Sequence, residues 1–63
     1  MTMKLYSVCL RLSTGPRVFK GMASGVGEAM KRAIDKSREL KLDVVGLLWV
    51  RSVNEQGKEA TMW

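Results

Sequence analysis

Cys9 and Arg11 stand two residues apart on a stretch of alternating polarity, and a thiol beside a guanidinium is one route to a reactive thiolate. That route also needs exposure and a base. The chain contains no histidine, so a Cys–His arrangement cannot be assembled, and a single cysteine forms no internal disulfide. A buried or half-buried structural thiol is the plainer reading of Cys9. Asp35 falls on the charged side of a helical pattern, Asp43 at the entrance to a strand, and Glu55 and Glu59 in a loop and tail. General acid–base work needs such groups poised together, and this spacing reads as solvated surface charge instead. No catalytic, cofactor-binding or metal-ligating set is expected, and the chain reads as a non-enzyme.

Gly21, Gly25 and Gly27 around Ser24 precede a helix, where free N–H groups can hold an anion. The segment matches neither the dinucleotide glycine pattern nor the phosphate loop, and its glycines more simply let the chain turn. Lys31, Arg32, Lys36, Arg38 and Lys41 could contact phosphates along the helix, with Arg17 and Lys20 adding a hairpin edge. Stacking would fall to Tyr6, Phe19 or Trp49, with Tyr6 read as core. Asp35 and Glu39 interrupt that cationic track, and no paired aromatic signature of an RNA-binding sheet is present. Nucleic-acid binding is therefore the alternative reading.

The elements that must position these residues follow from periodicity. Residues 4–12 alternate, with Tyr6, Val8, Leu10 and Leu12 on an apolar side and Leu5, Ser7, Cys9 and Arg11 on a mixed one, which predicts a strand. Ser13, Thr14, Gly15 and Pro16 predict a turn, and residues 17–22 a short returning strand at an edge, where Lys20 discourages further pairing. Ser24 is the expected helix N-cap, and Val26, Ala29, Met30, Ala33 and Ile34 recur at helical spacing over about four turns. Residues 42–53 form a third strand, with Gly46 placing the even positions beneath the helix. Residues 54–57 predict a hairpin loop and 58–63 a short strand or tail. The expected fold class is α+β, a small ββαβ(β) domain over residues 1–63 with one amphipathic helix on one face of a three- or four-stranded sheet. The first two strands pair antiparallel, and the sheet is mixed if the third lies parallel to the first.

The third strand carries apolar side chains at odd and even positions alike, while one helix covers one face only. The uncovered face must then be exposed, paired with a second copy or pressed on a partner. Leu5, Cys9, Val45, Leu47 and Trp49 would decorate it, with Arg11 and Arg51 at its rim and Arg17 on the hairpin. An apolar centre ringed by arginine is ordinary interface anatomy, in which Trp and Arg are frequent anchors. The expected interface set is Leu5, Arg11, Arg17, Leu47, Trp49 and Arg51, and the expected partner an acidic protein surface or a second copy of the chain. The alternative is that Trp49 and Trp63 meet and cover that face within one chain.

The progression from Tyr6 to Leu12, Gly15, residues 17–22, Ala23 and Ser24, then residues 28–34 and 44–53, resembles a class of very small bacteriophage ββαβ proteins that inhibit host enzymes, such as the short phage inhibitor of bacterial RNA polymerase. The resemblance lies in element order and apolar spacing. It implies a non-enzymatic protein that occupies a host enzyme through a charged face, with Arg51 and then Arg17 in the place of functional arginines. That inhibitor is acidic in character and this chain basic, so the same target does not follow.

Size and charge set the remaining bounds. A domain of 63 residues buries about 60% of its unfolded surface. Ordering costs on the order of 1.5 kcal/mol per residue, so stability is marginal and a partner would help. Eleven Lys and Arg against six Asp and Glu give a formal charge of +5, which speeds encounter with nucleic acid or an acidic surface without choosing between them. No apolar run approaches the roughly 20 residues of a membrane span, and the first residues lack the pattern of a signal peptide, so a cytoplasmic location is expected.

Overall fold

The computed structural model describes residues 3–53 and 61–63. The chain runs β1 (Lys4–Leu12), β2 (Gly15–Ala23), α1 (Val26–Glu39), β3 (Val44–Ser52) and β4 (Thr61–Met62). These strands form one sheet in the order β3-β1-β2-β4. The architecture is therefore the expected ββαβ(β), with one helix on a mixed four-stranded sheet. The expected hairpin at 54–57, the start of the expected last strand at 58–60, and Glu55 and Glu59 lie outside the described residues.

Two residues, Ser13 and Thr14, join β1 to β2, and Gly15 opens β2 with φ +123, a conformation glycine adopts without β-carbon strain. This tight connection sets the register: Leu12 faces Gly15, Leu10 faces Arg17, Val8 faces Phe19 and Tyr6 faces Gly21. Paired residues of an antiparallel ladder share a face, so even positions of β1 and odd positions of β2 lie together. That face is the core side, where Tyr6, Val8, Leu10, Leu12, Phe19 and Ala23 are buried with Ala29 and Ala33 of the helix. Phe19, Leu10 and Val8 are fully buried, each contributing roughly 1.5–3 kcal/mol of apolar transfer.

The helix meets this floor through Ala29, Ala33 and Ser37, three small side chains four residues apart. Small residues let the helix backbone come close, while Ile34 packs partly buried beside them. Ser37 is the polar member, and its hydroxyl donates to the Ile34 carbonyl at 2.6 Å. Val26, expected on the buried stripe, is half exposed at the helix start.

Both helix ends depart from the simplest expectation. The N-cap is Gly25, and no side chain caps a backbone N–H. The Ser24 hydroxyl instead donates to Glu28 Oε2 at 2.8 Å. At the other end Lys41 takes φ 60, its N–H donates to the Arg38 carbonyl, and Leu42 N–H donates to Ser37 at 2.8 Å. These are the paired bonds of a Schellman closure, with lysine where glycine is usual. Leu42, next in the chain, packs against the core.

The third strand corrects two expectations. It lies antiparallel to β1, and the sheet is mixed because β4 runs parallel to β2. Its even positions do not all lie beneath the helix. Two one-residue register shifts interrupt the β1–β3 ladder, leaving Val50 opposite Val8 and Val44 opposite Leu12 on the core side, but Gly46 opposite Arg11 on the other. An extra residue reverses the alternation that period two would impose. Nor is β2 an edge along its whole length: Phe19 and Lys20 pair with Thr61 and Met62 of β4.

Candidate interaction surface

The sheet face away from the helix is built by register. Across β2, β1 and β3 it carries Met22 and Leu5; Lys20, Ser7 and Arg51; Val18, Cys9 and Trp49; and Pro16, Arg11 and Gly46. Val53 extends the ladder by donating its N–H to the Leu5 carbonyl at 2.9 Å. Ser7 and Cys9, small residues on the central strand, are buried. Cys9 is thus a buried thiol between Trp49 and Val18 in register.

Trp49 retains 37% of its surface exposed, and the Arg51 guanidinium lies over its ring, 4.6 Å from the centroid. Such a pair holds the guanidinium against the indole face and leaves its N–H groups for a third party. Arg11 and Lys20 share this face. The four described acidic residues, Glu28, Asp35, Glu39 and Asp43, lie on the helix or just before β3. Ser13 N–H donates to the Asp43 carbonyl, which continues the β1–β3 ladder and sets Asp43 at the end of this face. Among the described residues, Arg11, Lys20 and Arg51 outnumber that one carboxylate there.

Of the expected interface set, the fold brings Leu5, Arg11, Trp49 and Arg51 to this face and separates the other two. Leu47 stands opposite Leu10, whose side chain is on the helix side, because a register shift falls between Leu47 and Trp49. Arg17 also stands opposite Leu10. Its Nε donates to Thr61 Oγ1 at 3.1 Å and its guanidinium lies 5.8 Å from the centroid of Phe19, beside β4. Lys20 and Val18 belong to the open face and were missed, since only the hairpin register reveals them.

Trp63 does not meet Trp49. Its N–H donates to the Lys20 carbonyl at 2.9 Å and its indole N–H to the Met22 carbonyl at 3.3 Å. A β-carbon built on Gly21 would collide with the indole, so Gly21 makes room for the ring on the core side of β2. The internal cover proposed for the open face by a Trp49–Trp63 contact is absent.

The helical cations occupy a different electrostatic setting. Arg32 pairs with Glu28 at 3.0 Å and Lys36 with Glu39 at 3.5 Å. A shallow hollow here is lined by Gly27, Glu28, Lys31, Arg32 and Asp35, two of them carboxylates. The Ser24 hydroxyl, followed by Arg32, holds the Glu28 carboxyl below its ordinary value. Lys31, Arg38 and Lys41 are exposed. Tyr6 and Phe19 are buried in the core, leaving Trp49 as the aromatic available on the open face. Among the described residues, no three His, Cys, Asp or Glu side chains come together, and no helix is long and apolar enough to cross a membrane.

Comparison with protein-family models, curated proteins and solved structures returns no match.

Proposed function

We propose that this chain is a non-enzymatic binding module whose helix-free sheet face docks on an acidic protein surface and modulates the protein that bears it. The observation that carries this reading is the half-exposed Trp49–Arg51 pair on a face where Arg11, Lys20 and Arg51 outnumber the one described carboxylate, Asp43. Trp49 supplies apolar contact area at low entropic cost, and Arg51, fixed against the ring, is oriented to receive a carboxylate. Arg11 and Lys20 extend the positive field and speed encounter.

The test is retention from a nuclease-treated native lysate on the immobilised chain, run beside folded Trp49→Ala and Lys31→Ala variants. Loss of the retained protein with Trp49→Ala but not Lys31→Ala is the expected result, with affinity falling roughly 30-fold or more, as for an anchor residue. Equal retention by both variants contradicts the site.

Nucleic acid is the second reading, favoured by the same net positive face beside an exposed indole. It would use Trp49 for stacking and Arg11, Lys20 and Arg51 for phosphates rather than the mixed helix surface. A complex with mixed-sequence single-stranded DNA or RNA that weakens steeply with salt supports it. No complex at low salt removes it.

A further inference from the structure

The outer edge of β3 is a surface distinct from the open face. The strand is nine residues long and lies last in the sheet. Natural edges are guarded by charge, proline, short length or bulges, and of these β3 carries only its two register shifts. Residues 44–50 contain no charge and no proline, and Val45, Leu47 and Leu48 are 59%, 47% and 50% exposed.

The outward backbone groups follow from the ladder. Val53 donates to Leu5, so alternation turns the main-chain groups of Ser52 and Val50 away from β1. At the other end the Asp43 carbonyl accepts from Ser13 N–H at 3.0 Å, which turns those of Val44 outward. The two register shifts between these ends cancel in parity. Val44 and Val50 therefore offer donors and acceptors on the same side of the strand.

We infer that β3 pairs antiparallel with β3 of a second copy, about a two-fold axis through Leu47. This register sets Val44 against Val50 of the other copy, joining the two outward-facing positions. Val45 meets Trp49, a β-branched residue against an aromatic, which is a favourable cross-strand pair. Asp43 meets Arg51, and the symmetry repeats that opposite-charge pair at the other end of the uncharged segment. A self-complementary edge closed at both ends by opposite charges fits a second copy better than an unrelated strand. The two sheets join into one of eight strands, and their helix-free faces become continuous across a seam of Asp43–Arg51 pairs.

This inference needs no ligand, so its test stands apart from that of face binding. In sedimentation of the full chain, a reversible dimer of twice the 7.1 kDa mass is expected. Leu47→Lys sets two ammonium groups against each other on the axis and raises the dissociation constant at least about tenfold, with the circular dichroism unchanged. Asp43→Arg and Arg51→Asp each weaken the dimer, and the double variant restores it. On oxidation Leu47→Cys forms a covalent dimer faster than Met22→Cys, an exposed control on β2, away from the β3 edge. A chain that stays monomeric at every attainable concentration overturns the inference. So do an unaffected Leu47→Lys, a double charge swap without rescue, or equal cross-linking at both positions.

Discussion

The two edges of this sheet meet the solvent in opposite ways. On one side β2 is flanked by β4, Arg17 binds Thr61, and the Trp63 indole lies over Gly21. On the other, β3 presents a nine-residue edge with seven consecutive uncharged residues. A small domain with one helix can finish one face of its sheet and, with a few further residues, one edge. The Trp49–Arg51 pair and the β3 edge are what the described residues leave exposed, and both lie on the same strand.

Substitutions on the two sides should therefore differ in kind. The largest expected effect is at the closed edge. Gly→Ala in a strand normally stabilises slightly, yet Gly21→Ala drives a β-carbon into Trp63 and should cost about 1–3 kcal/mol in urea unfolding. In a Trp63→Ala background that penalty should vanish, a non-additivity that marks direct contact. Additive losses would mean the indole does not seal this edge.

Next in size is the junction that delivers the chain to β3. Lys41 holds φ 60 in a position suited to glycine, so Lys41→Gly should raise stability by about 1 kcal/mol, measured by the same unfolding midpoint. At the open edge itself, Leu47→Lys should change the stability of the isolated monomer by no more than about 0.5 kcal/mol, because the side chain is already half in water. A large loss there would show that β3 is packed, not presented.

The smallest effect lies where β2 hands over to the helix. The depressed Glu28 carboxyl contributes stability above the ordinary glutamate range, and that contribution is lost as pH falls through the depressed value. Ser24→Ala should move the Glu28 titration, followed by carboxyl NMR, back toward 4.5. An unchanged titration would separate Ser24 from this charge.

The comparison also explains what could be read from the residues alone. The alternation of Tyr6, Val8, Leu10 and Leu12 marked the core face of β1, and Ala29, Met30, Ala33 and Ile34 marked the helix. What escaped depended on register. Arg17 turns to the helix side because a two-residue connection sets it opposite Leu10, whereas Lys20 turns to the open face for the same reason. Leu47 parts from Trp49 because one extra residue intervenes in the ladder, and no periodicity announces that insertion. The left-handed Lys41 carries no glycine signal, and the seat of Trp63 on Gly21 joins residues far apart in the chain. Leu5, Arg11, Trp49 and Arg51 were legible as one surface because regular alternation holds where they pair.

The most direct measurement is residue-resolved amide exchange along β3 as a function of protein concentration. The Trp49, Arg51 and Val53 amides, turned toward β1 by the ladder, should exchange slowly at every concentration. The Val50 and Val44 amides should exchange fast in dilute solution and slow as concentration rises and the edge finds its second copy. Slow exchange of Val50 at the lowest concentration would mean that the chain covers this edge itself, and would contradict the claim that β3 is the side left open.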